Sequence, residues 1–154
     1  MEPFGWRNYY EMGVWDKKQI KQKVCIEPSH RLKGMSDLTV EKIIEIHDEI
    51  ILRYDGAQGI LSEATLHFMV FRANRTDDTF TRAAIVLHAI GSQHPFMDGN
   101  KRTALIVAEN VLGQSGFFIA VDDDSIVQFM LDVASYIYEP DEIEQWLREH
   151  SEAL

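Results

Sequence analysis

The chain has 154 residues, a formal net charge of −10 and 45% hydrophobic residues, which suits a single domain with a real core. The negative field disfavours nonspecific binding to nucleic acid, and no apolar run reaches the roughly 18 residues that a membrane span needs. The single cysteine, Cys25, cannot form an intrachain disulfide, and Met1 to Trp6 lack the basic start and apolar core of a secretory signal. The expected setting is therefore cytoplasmic, with no direct nucleic acid binding and no membrane.

Residues 1–37 differ from the rest. They carry Phe4, Trp6, Tyr9, Tyr10 and Trp15, a basic patch (Lys17, Lys18, Lys21, Lys23), and a β-like piece, Val24-Cys25-Ile26, stopped by Pro28. Glycines and polar residues interrupt any helical period, so this segment reads as an irregular arm that lays its aromatics on the body or on a partner. Residues 38–154 read as one domain. Thr39 caps an expected helix over 40–53, with Ile43, Ile44, His47, Ile50 and Ile51 as its apolar stripe. Glycines break the pattern at 56 and 59. Ser62 then caps a second helix to about Arg72, and Thr76 or Asp77 starts a third, apolar nearly all round from Ala83 to Ile90 and ended by Gly91. A further helix is expected over about 99–114. Phe117 to Val121 fits a short strand or an extended link. Asp122-Asp123-Asp124-Ser125 supplies cap candidates for a helix through Ile126, Phe129, Met130, Val133 and Ile137, and Pro140 sits in the first turn of a last one. The sum is an all-α domain of about six helices.

Between the third and fourth helices lies His94-Pro95-Phe96-Met97-Asp98-Gly99-Asn100-Lys101-Arg102. A helix N-terminus attracts phosphate through its unpaired N–H groups and partial positive charge. Gly99 lets the backbone approach an anion closely. Asn100 can orient a phosphate or the loop itself. Lys101 and Arg102 add full charges, and arginine can bind two phosphate oxygens at once. Asp98 is a hard oxygen ligand suited to Mg²⁺, and His94 has the titration range of a general base. Phe96 and Pro95 read as a buried ring and a fixed φ that stiffen the loop. Each residue also has a plain explanation: Asp98 as a cap, Lys101 and Arg102 as solvated charges, His94 as a loop histidine. The six histidines show no zinc spacing, His88 and His47 read as core histidines, and Asp122-Asp123-Asp124 reads as capping rather than as a calcium loop. The pattern is not a Walker A loop.

At every fixed position the loop resembles the Fic/Doc signature, H-x-F-x-(D/E)-G-N-(G/K)-R. The resemblance runs from about Leu38 to Leu147 and takes in Arg53-Tyr54-Asp55-Gly56. It implies a Fic-fold helical bundle with a short β-hairpin flap near Gly56-Ala57-Gln58-Gly59, positioned to receive a target chain. It further implies a transferase that uses ATP and Mg²⁺ to move a phosphate-containing group onto a Ser, Thr or Tyr hydroxyl of a target protein. Carried over by position, His94 becomes the general base and Asp98 the Mg²⁺ ligand. Gly99 and Asn100 become the anion hole, and Lys101 and Arg102 the phosphate clamp. The Doc branch is the more similar, through Lys101 and Thr103-Ala104-Leu105. Its members are toxins that phosphorylate elongation factor Tu until an antitoxin binds them. Leu105 stands where AMP-transferring members usually carry a second arginine, whereas Gly99 stands where Doc has alanine. The expected transferred group is therefore phosphate first and AMP second. A self-inhibiting helix, (S/T)-x-x-x-E-(G/N), has its nearest counterpart in Ser135-Tyr136-Ile137-Tyr138-Glu139-Pro140, whose proline reads as a helix end, so a separate antitoxin is expected. The rival expectations are an idle binding module of the same fold and an enzyme acting on a small phosphorylated molecule.

Overall fold

The computed structural model describes residues 37–154. The expected aromatic arm and the Val24-Cys25-Ile26 piece lie outside these residues. The described body is helical, with α1 (Val40–Tyr54), α2 (Glu63–Asn74), α3 (Thr79–Val86), α4 (Asn100–Gln114), α5 (Asp123–Ala134) and α6 (Pro140–His150). A π-helical turn, Leu87–Ser92, prolongs α3.

The helix starts follow local chemistry. Thr39, Ser62 and Asp122 accept N–H bonds from Lys42, Thr65 and Ser125, as side-chain caps do. The third helix starts later than expected. Asp78, rather than Thr76 or Asp77, is its cap, because its carboxylate reaches the N–H groups of both Phe80 and Thr81. The helical path also runs through Gly91 to Ser92 instead of stopping there. Gly91 lies in the π turn, where an added Cβ would stand 2.9 Å from Val133 Cγ1. Its missing side chain serves helix packing rather than termination.

α3, its π turn and α4 form the centre of the core. Ala83, Ala84, Val86, Leu87 and Ile90 pack with Ala104, Leu105, Ile106, Val107 and Ala108 in one buried cluster, and the other helices surround this pair. The segment after α4 settles as strand β1 (Phe117–Ile119), paired antiparallel with β2 (Ser151–Ala153). The flap segment forms no hairpin of its own among the described residues. It runs beside the motif loop, in a single antiparallel bridge between Ile60 and Phe96. No described helix is long and apolar enough to cross a membrane.

Candidate active site

The motif loop is gripped from two sides. On one side the 57–62 segment pairs with it: the Leu61 and Ser62 N–H groups donate to the Pro95 carbonyl at 2.7 and 3.1 Å, and Met97 N–H donates to Gly59 O at 2.9 Å. On the other side α1 lies beneath it. The Phe96 ring is 1% exposed and stacks on His47, with centroids 3.8 Å apart and planes 7° from parallel. The expected stiffening role of Phe96 is thus met, with a histidine as its partner. His94 takes a left-handed φ of 50°, a conformation that a non-glycine residue holds only where its surroundings impose it. It is half-buried, next to the buried pair Pro95 and Phe96.

Asp98 is exposed, and its three oxygens all accept bonds. The Ala57 N–H donates to Oδ2 at 3.1 Å, the Gly99 N–H to Oδ1 at 2.7 Å, and His47 Nε2–H to the main-chain carbonyl at 2.7 Å. Gly56 makes this possible, since a Cβ there would fall 2.7 Å from Asp98 Oδ2 and 2.9 Å from Ile51 Cδ1. Gly99 begins α4 at φ 78°, a left-handed value, and no side chain caps that start. The Asn100 side chain takes the loop-holding role of the two open to it. Its Oδ1 accepts from Phe96 N–H and its Nδ2 donates to Phe96 O, both at 2.9 Å. What Asn100 offers an anion is therefore its main chain at the helix start.

Both cations of the expected clamp are half-buried at that start. Burial draws the Lys101 ammonium below its ordinary range, against the pull of nearby Asp98 and with the push of Arg102. The Arg102 guanidinium carbon lies 4.2 Å from the centre of the Tyr54 ring, a close cation–π distance. Burial raises the Tyr54 phenol above its ordinary range even though Arg102 and Arg53 oppose the shift. The described residues contain no cluster of three or more metal-ligating side chains. A lone carboxylate suits Mg²⁺, which is commonly held by one or two carboxylates together with substrate phosphates and water.

All six sequence-derived site residues, His94, Asp98, Gly99, Asn100, Lys101 and Arg102, thus meet in one loop and one helix start. The Ala57 N–H and the Tyr54 ring had no role in the sequence reading. His47, expected as a core histidine, is buried and bonded to the Asp98 main chain. His88, the other expected core histidine, is half-buried in the π turn, and burial lowers its pKa against the opposing charge of Glu139.

Compared with known proteins, residues 37–112 match the model of the Fic/DOC family. No curated protein matches the chain.

Proposed function

We propose that this Fic/DOC-matching chain is a transferase that moves the γ-phosphate of ATP onto a hydroxyl of a target protein, and that it is the toxin of a toxin–antitoxin pair. The observation that carries the reading is the placement of the whole motif on one clamped loop leading into an uncapped helix start. Phosphoryl transfer needs positioning and charge stabilisation more than covalent chemistry from the protein, and a clamped loop supplies both.

In the proposed reaction His94 takes the proton of the target hydroxyl. The hydroxyl oxygen bonds to the γ-phosphorus, the bond to the β-phosphate oxygen breaks, and ADP leaves. Lys101, Arg102 and the N–H groups at the start of α4 hold the charge that spreads over the phosphate oxygens. Asp98 would hold Mg²⁺, which when bound neutralises phosphate charge. The 57–62 segment, alongside the loop, is the surface over which the target chain would lie.

Phosphate is preferred over AMP because Leu105, where a second arginine would stand, is fully buried in the core, so the clamp ends at Arg102. Gly99 favours AMP transfer as the second reading, since Doc carries alanine there. Ser135 closes α5 and Pro140 opens α6, so the run between them is a link between helices. This supports a separate antitoxin as the brake, and elongation factor Tu is the proposed target.

Incubating the protein and its His94→Ala variant with lysate and ATP labelled on the α- or γ-phosphate tests this. The expected result is label from the γ position only, falling about 10²–10⁴-fold in the variant. Label from the α position would establish AMP transfer. An absence of His94-dependent label from both would leave an idle binding module.

A further inference from the structure

α1 presents three side chains to the motif, at 47, 51 and 54, each about one helical turn from the next. Ile51 fills the space beside Gly56 and Gly99, and Tyr54 faces Arg102. His47 does something different in kind. It is 1% exposed, lies among isoleucines, and sends a short hydrogen bond to a main-chain carbonyl 51 residues away. Because that acceptor is a carbonyl, Nε2 must carry the proton. Nδ1 is left facing the Asp48 carboxylate at 3.5 Å.

The carbonyl that His47 holds belongs to Asp98, and the same planar peptide group carries the Gly99 N–H. In a trans peptide the C=O and N–H point in opposite directions. A donor that draws the Asp98 carbonyl toward α1 therefore turns the Gly99 N–H outward, to the side where the Asp98 carboxylate receives it at 2.7 Å. Apart from His47, this peptide is held among the described residues by the Gly99 N–H bond to the Asp98 carboxylate. Gly99 can adopt either sign of φ at little cost, so a rotation of the plane that buries the N–H and exposes the carbonyl is sterically open. α4 does not hold the carbonyl either, since the helix's first bond runs from Thr103 N–H to Gly99 O. The stack on Phe96 completes the hold by fixing the imidazole plane, and with it the direction of Nε2–H.

We infer that His47 is a positioning residue that locks the Asp98–Gly99 peptide with its N–H facing the phosphate site, by donating Nε2–H to the Asp98 carbonyl while its ring is braced on Phe96. The inference rests on the transferase reading, in which a phosphate oxygen takes the place of the Asp98 carboxylate at that N–H. A peptide turned the other way would replace a donor with a carbonyl oxygen, which repels an anion. Groups that orient a site's direct ligands are typically worth about 10–100-fold in activity or metal affinity.

Two substitutions separate the parts of the lock. His47→Gln keeps a donor at the same bond count from Cα but removes the ring, and His47→Phe keeps a ring but removes the donor. Transfer of γ-label and the ¹⁵N amide resonance of Gly99 are measured on full-length protein, with and without Mg·ATP. The expected result for His47→Phe is a kcat lowered about 10–100-fold, an unchanged KM for the target, and a displaced or broadened Gly99 resonance. His47→Gln is expected to return both readouts most of the way to wild type, which a role confined to packing would not do. Should His47→Phe fail to fold, His47→Leu, which also lacks a donor, takes its place. The inference is overturned if the donor-less variant leaves the Gly99 resonance unchanged, or if His47→Gln behaves no better than His47→Phe. Failure of the transferase reading is distinguishable, because wild type would then move no label while the Gly99 resonance still reports the lock.

Discussion

Two kinds of helix start coexist in this molecule. α1, α2, α3 and α5 each begin with a hydroxyl or carboxylate that accepts the helix's own N–H groups. α4, which continues the motif loop, begins at Gly99 with no such side chain. A carboxylate is available next door, but Asp98 turns its oxygens to Ala57 and Gly99 instead. The first kind of start is closed on itself and gains stability. The second has no side-chain cap and is supported from elsewhere, by α1 beneath and the 57–62 segment alongside. An anion at this start would take the place of a cap.

The most severe way to break this arrangement is Asp98→Ala. Mg²⁺-dependent nucleotide binding is expected to be lost, measured by calorimetric titration with Mg·ATP, and unchanged binding would remove the assigned role of Asp98. Next comes Gly56→Ala. Its new Cβ, 2.7 Å from Oδ2, must push the Asp98 carboxylate aside, and misplacement by about 1 Å can cost about 100-fold in rate. Assays of γ-label transfer should show at least a 10-fold fall, with the far-UV circular dichroism spectrum kept. The mildest effect belongs to a closed start. Asp78→Ala removes both the cap of α3 and the 2.8 Å ion pair with Arg148 of α6, for a cost of about 1 kcal/mol in a denaturant titration and no change in transfer per folded molecule.

Asp78 also gives the comparison a pH axis. Partial burial alone would raise its pKa, but the Thr81 N–H and the Arg148 guanidinium outweigh this and hold it below the ordinary 3.8. A carboxyl depressed in the folded state stabilises fully above its unfolded pKa and loses that contribution as pH falls through the folded value. Wild type and Asp78→Ala should therefore differ in denaturation midpoint at pH 7 and converge below about pH 4. A gap that stayed constant with pH would show that the carboxylate charge plays no part.

Closed starts were legible in the sequence because a cap and its N–H acceptor-seekers lie within three residues. Thr39 and Ser62 could be named from spacing alone, Asp122 stood among four candidate caps, and Pro140 marked a first turn. The start of α3 was displaced because Thr76-Asp77-Asp78-Thr79 offers four adjacent capping residues, and Asp78 is the one whose carboxylate meets the Phe80 and Thr81 N–H groups and also Arg148. The motif residues were equally legible, being contiguous. Their supports were not. His47 meets its acceptor across 51 positions and Ala57 meets Asp98 across 41, so neither leaves a local pattern. The partner of β1 was hidden for a related reason, since Ser151-Glu152-Ala153 has no strand propensity to announce it.

The buried hydroxyl of Ser92 bears on where the cooperative unit ends. It donates at 2.7 Å to the carbonyl of Val133 in α5, while Gly91 in the same turn gives its space to the Val133 side chain. Both partners lie beyond residue 112, where the family match stops, as does the whole of the β1–β2 ladder. A fragment cut at that boundary would expose the turn that delivers His94 and leave a buried hydroxyl without its acceptor, a cost of about 1–3 kcal/mol before any apolar loss. The helices after residue 112 pack into the same buried cluster as the turn that leads to His94, so a piece ending at residue 112 is expected to lose stability in that turn as well as in its own tail.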